Sequence, residues 1–143
     1  MEKNFLARIT VRKLTNHGVE ERMTIVPLDD ILYFFTAGAL SQRPVIDAKW
    51  CHLKRFAPGR VYVRTAEGVF VTRVRTLAKM LARLPKNFVE IHKSLAVNVD
   101  EIKDLDFAAK LKQVGVVTAI STEWLTVSRR TLKNLRLALG LCS

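Results

Sequence analysis

The sequence predicts a mostly β fold: an assembly of short antiparallel sheets with two short helices and one inserted helix. Three observations carry that reading. Runs rich in β-branched residues, with apolar and polar positions alternating, come in consecutive pairs around turn residues. Only two stretches combine a clean helical period with a cap at each end. Strands that follow one another as hairpins, rather than alternating with long helices, exclude a parallel βαβ arrangement. A chain of 143 residues suits one domain, able to bury roughly 68–70% of its unfolded surface.

In chain order, "FLARITVRKL" and "VEERMTIVPL" flank "TNHG" and predict a hairpin, with Gly18 taking the positive φ. "ILYFF" reads as a buried strand, and "RVYVRT" with "VFVTRV" as a second hairpin turning at Gly68. "TLAKMLARLP" places Leu77, Met80, Leu81 and Leu84 on one helical face, between Thr76 as N-cap and Pro85 as stop. "FVEIHKSLAVNV" returns to strand alternation, and "EIKDLDF" is a further strand. "VGVVTAI" and "EWLTV" make a third hairpin around Ser121 and Thr122. "SRRTLKNLRLALG" is the terminal helix, with Ser128 as N-cap, Leu132, Leu135 and Leu139 on one face, and Gly140 at the C-terminal end.

The segment 38–59 departs from this β pattern. Between Pro44, suited to a first helical turn, and "APG", Ile46, Trp50, Leu53 and Ala57 recur at helical spacing. A helix is expected there, its other face carrying Lys49, His52, Lys54 and Arg55.

Charge is the most informative global property. With 24 Lys and Arg against 13 Asp and Glu, the formal net charge is +11, a field that steers polyanions, nucleic acid before an anionic membrane. Its distribution is uneven: residues 43–93 hold twelve basic residues and three acids, and residues 126–143 hold four basic residues and none. Cys51 and Cys142 make no disulfide framework, and no basic-then-apolar leader opens the chain, so a reducing cytoplasm is expected. The longest uncharged stretches fall short of the ~20 residues that span a bilayer.

"EIHKSLAVNVDEI" offers a histidine and a serine, but there is no G-x-S-x-G elbow, no phosphate-cradling Gly-rich loop, no H-E-x-x-H and no C-x-x-C. No enzyme and no cofactor is expected. Cys51 and His52 are adjacent, so on a helix they point about 100° apart, and two ligands do not close a zinc site. Trp50 and Trp124 read as packing residues.

At "FVEIHKSLAVNVDEI" the chain resembles the LytTR DNA-binding domain of bacterial transcription regulators, through Phe88, His92, Lys93, Ser94, Val97 and Asn98. "IVPLDDILYFF" is similar to the opening strand pair of that family, "LAKMLARLPKNF" to its helix ending in Leu-Pro, and "LTVSRRTLKNL" to its closing Val-Ser-Arg-Arg element. The order holds over residues 25–139, with 38–59 inserted and 1–24 as an added hairpin. The resemblance implies short sheets with little helix, binding promoter repeats in the major groove of double-stranded DNA. It implies contacts from three loops: after the opening strands, at the His-x-Ser motif and at the Ser-Arg-Arg element. By position these are Lys93, Arg129 and Arg130, with His92, Ser94 and Asn98 either touching DNA or holding the loop, the latter favoured for Asn98. The insertion replaces the first loop, so Lys54 and Arg55 enter from charge alone. Glu90 stands where the family often has a basic residue. No receiver domain fits before residue 25, leaving a stand-alone regulator or a fragment of one.

The expected function is a sequence-specific DNA-binding transcription regulator. The alternative is an interaction module in which Ile46, Trp50 and Leu53 mediate homodimerisation or dock a regulatory protein. An RNA binder would want paired exposed aromatics, which the pattern lacks.

Overall fold

Strands β1 (Arg8–Thr15) and β2 (Gly18–Pro27) pair antiparallel around Gly18, whose φ of 127° is the left-handed backbone the turn requires. The computed structural model describes residues 8–52, 56–108 and 110–141. β3 (Ile31–Phe35) follows, and its five residues are all buried. After an irregular segment containing β4 (Ile46–Asp47), the second hairpin is β5 (Tyr62–Thr65) and β6 (Val69–Val71). Helix α1 (Leu77–Leu81) has Thr76 as N-cap, its hydroxyl accepting the Lys79 N–H at 3.2 Å, and it buries Leu77 and Met80.

β7 (Phe88–His92) and β8 (Leu95–Asn98) then form a hairpin where the alternation predicted one strand. The turn is Lys93–Ser94, without the glycine that would have announced it. β9 (Ile102–Asp106), β10 (Gln113–Val117) and β11 (Thr122–Thr126) complete the strands, and α2 (Arg129–Ala138) closes the fold. Gly140, at φ 74°, ends α2: the Gly140 N–H donates to Leu137 O and the Leu141 N–H to Arg136 O, capping the last carbonyls.

Two antiparallel sheets result, one of seven strands in the order β2-β1-β6-β5-β3-β8-β7 and one of four in the order β4-β11-β10-β9. The central strands of the larger sheet are covered on both faces. One face, with Val11, Phe34, Val63 and Ala96, packs under Leu77 and Met80 of α1. The other, with Phe35, Tyr62, Ile91 and Val97, packs against Val114, Val116 and Leu125 of the smaller sheet and Leu135 of α2. This double coverage explains why "ILYFF" has no polar position.

The expected inserted helix is not formed among the described residues. The segment makes a 3-10 turn at Ala37–Leu40, the strand β4, and another 3-10 turn at Lys49–His52. The β-branched pair Val45 and Ile46 follows Pro44, and β4 adds to the edge of β11, with Trp124 opposite Asp47 and Leu125 opposite Ile46. An open strand edge outcompetes helical propensity there, since propensity is a weak prior against tertiary pairing.

A buried polar cluster ties the two sheets together. Glu123 on β11 accepts from Arg64 on β5 through Nε at 3.0 Å and Nη2 at 2.9 Å, from Tyr33 Oη at 2.9 Å and from Trp50 Nε1 at 3.0 Å. Burial, with the Glu123 carboxylate beside it, raises the Tyr33 phenol well above its usual pKa, so it stays a donor. Trp50 also packs on Phe35 and Phe56. Ile46 and Trp50 therefore face the interior of the domain rather than forming an outward docking stripe, which corrects the expectation of a partner surface there. Leu53 lies outside the described residues.

A candidate nucleic-acid interface

Three separate stretches meet where β3 ends and β7 turns into β8. The Thr36 N–H, just past β3, donates to Ser94 O at 3.0 Å. Ile91 O accepts twice from the closing element, from the Ser128 N–H at 2.7 Å and from Thr131 Oγ1 at 2.6 Å. Ser128 is the N-cap of α2, its hydroxyl accepting the Thr131 N–H at 3.3 Å. The same two residues that start the helix thus fasten its first turn beside the Lys93–Ser94 turn, almost forty positions away in sequence.

The side chains on this surface are mostly basic. Lys93 is exposed at the tip of the turn, and Arg129 and Arg130 are exposed in the first turn of α2. Their charges add to the positive end of the helix dipole, and no acidic residue in that turn offsets them. Cations at this end cost the helix typically 0.3–1 kcal/mol each, and the same end attracts anions such as phosphate. Arg130 pairs with Glu90 at 3.4 Å, both partly solvated. Arg75 joins the site without having been singled out in the sequence: with Lys93, Glu90, Thr36 and Gly59 it lines a groove of about 530 Å³. Its only signal was one more basic residue just before a helix cap.

His92 and Asn98 hold the turn in different ways. His92 Nδ1 lies 3.1 Å from Ser94 Oγ and accepts the Ser94 N–H at 3.4 Å. Partial burial, then Lys93 and Arg130, lower its pKa below 6.5, with Glu90 opposing, so the ring is neutral at neutral pH. Asn98 is 1% exposed. Its amide donates to Ile31 O at 2.9 Å, while its oxygen accepts from the Asp100 N–H and from Asn87 Nδ2. Asn98 therefore has no surface to offer a base, and its place among the DNA contacts is corrected: it braces β8 against β3.

The model of the LytTr DNA-binding domain family matches residues 51–140. The chain belongs to that family. Among solved structures, the LytTr DNA-binding domain of a response regulator from Bacillus cereus aligns with a TM-score of 0.58 at 22% identity, covering 92% of this chain and 97% of that one. That likeness supports the fold. No curated protein matches.

As a LytTr domain, the chain is a DNA-binding module of transcription regulators. No helix among the described residues is long and apolar enough to cross a membrane. Lys54 and Arg55, named from charge alone, lie outside the described residues, while Lys49 is exposed on the second 3-10 turn. Burial pushes the Cys51 thiol up to about 11, so it is protonated at neutral pH.

Proposed function

We propose that this chain is a single LytTr domain that reads promoter repeats in double-stranded DNA. It does so by presenting the Lys93–Ser94 turn and the first turn of α2 to the major groove. The observation that carries this is the double hydrogen bond from Ser128 and Thr131 to Ile91 O, which holds the first turn of α2, with Arg129 and Arg130 exposed in it, beside the end of β7 that leads into the Lys93–Ser94 turn. Arg129 is the base-reading candidate: it is exposed, whereas Arg130 is partly committed to Glu90. An arginine can bond guanine O6 and N7 together, a contact that discriminates bases by about 1–3 kcal/mol. Lys93 and Arg75 are phosphate contacts, positioning the domain without reading sequence.

The non-enzymatic reading is supported by the family and by the burial of Ser94, whose hydroxyl lies 3.1 Å from His92 Nδ1 inside the turn, away from any substrate in solvent. Duplexes selected from a random pool and run in mobility shifts at two salt concentrations test the proposal. Arg129→Ala should weaken the selected duplex by about 1–3 kcal/mol and relax preference at one base pair. Lys93→Ala should weaken all duplexes alike and lower the salt slope by about one. Enrichment of no repeat would leave only non-specific polyanion binding.

A further inference from the structure

A second cleft lies on the far side of α1 from Lys93, between the start of β1 and the 72–74 connector. Its volume is about 320 Å³, within reach of the roughly 300–1,000 Å³ of small-molecule sites. Its floor is apolar, with Leu28 and Met80 buried and Leu84 half-buried. Its inner polar group, Thr72, is already engaged: the hydroxyl donates to Val61 O at 2.9 Å and accepts the Val74 N–H at 3.1 Å. Three arginines, Arg8, Arg73 and Arg83, line the cleft around this floor, and all three are exposed. Among the described residues no carboxylate forms an ion pair with any of them; the arginines that do pair are Arg64 and Arg130.

We propose that this cleft binds a small organic anion with an apolar body, of the type of a medium-chain carboxylate. The apolar floor takes the body, and one or two guanidiniums clamp the head, since arginine bonds a carboxylate through two parallel N–H groups. A neutral molecule of the same shape would gain the floor and lose the clamp. A cation would meet three like charges. The site is separate from the DNA surface, and α1 with the preceding residues 72–76 forms the wall between them.

Titrating the full chain, without DNA, with octanoate and separately with octanol tests this through backbone amide shifts. Octanoate should move the amides of Ile9, Val74 and Leu84, and octanol should bind at least about tenfold more weakly, a difference of 1.4 kcal/mol or more. The double variant Arg73→Ala, Arg83→Ala should lose about tenfold in octanoate affinity with octanol unchanged, and Leu84→Trp, which fills the cleft, should abolish both. Equal binding of octanoate and octanol, shifts scattered beyond the cleft, or octanoate binding that survives both variants would each overturn the proposal. Since no DNA is present, these outcomes are independent of whether the Lys93 and Arg129 surface binds DNA.

Discussion

Glu90 shows at the level of one residue how the interface balances attraction against restraint. Its carboxylate sits among Lys93, Arg75 and Arg130 and holds Arg130 at 3.4 Å. An exposed pair of this kind contributes only about 0–1 kcal/mol to stability, so its removal should cost the fold little. Glu90→Gln should therefore tighten binding to any duplex by a few-fold and steepen the salt dependence, measured by titration at two ionic strengths. His92 makes the complementary prediction. Its folded pKa is lowered below 6.5, so the stability it contributes is present above 6.5 and is lost as pH falls through the lower folded value. Protonation at Nδ1 removes the acceptor of the Ser94 N–H. Urea unfolding above and below pH 6.5 should show a larger acid loss for the wild type than for His92→Gln, whose carbonyl cannot take up the proton. Residue types were legible here, and Lys93, Arg129 and Arg130 stand exposed where the family resemblance put them. Burial was not legible: Arg64 entered only as one of the basic residues of the 43–93 stretch, and the bracing role favoured for Asn98 did not say that it is buried; the fold shows both spent inside.

Among the elements, the junction between the two sheets depends on the Arg64, Glu123, Tyr33 and Trp50 cluster. Glu123→Gln leaves the Arg64 guanidinium in the core without its counter-charge. Removing one partner of a buried pair costs about 3–5 kcal/mol, which chemical denaturation of the variant should register. The double variant Arg64→Met, Glu123→Gln should recover much of that loss, because it removes the unpaired charge while the glutamine carbonyl still accepts from Tyr33 and Trp50. Elements with strong local signals were readable from sequence. Thr76 and Ser128 cap their helices, Gly18 takes its positive φ and Gly140 ends α2. The segment 38–59 misled because Ile46 and Trp50 share a helical spacing that a strand followed by a 3-10 turn also satisfies, both residues pointing into the core. "FVEIHKSLAVNV" hid its turn because no Gly or Asn occupies it and the alternation continues across it.

For the molecule as a whole, the charge of +11 sets the long-range attraction, and the fold decides where it is spent. Arg64 is withdrawn into the core, Arg8, Arg73 and Arg83 line the apolar cleft, Lys93, Arg75 and Arg130 gather around Glu90 beside the turn, and Arg129 is exposed in the first turn of α2. A count of basic residues could not have separated these groups, because it is the fold that brings β7 to α2, through the hydrogen bonds to Ile91 O, the Arg130–Glu90 pair and the packing of Leu135 in the core with Ile91. The most direct test of the account is to map backbone amide shifts as a selected duplex is titrated into the full chain. The account predicts that the largest changes fall on Lys93, Ser94 and residues 128–130, with Arg75 next and Asn98 affected only weakly. Changes concentrated on β2 or on the 72–74 connector, with the Lys93 turn and the start of α2 unmoved, would contradict it.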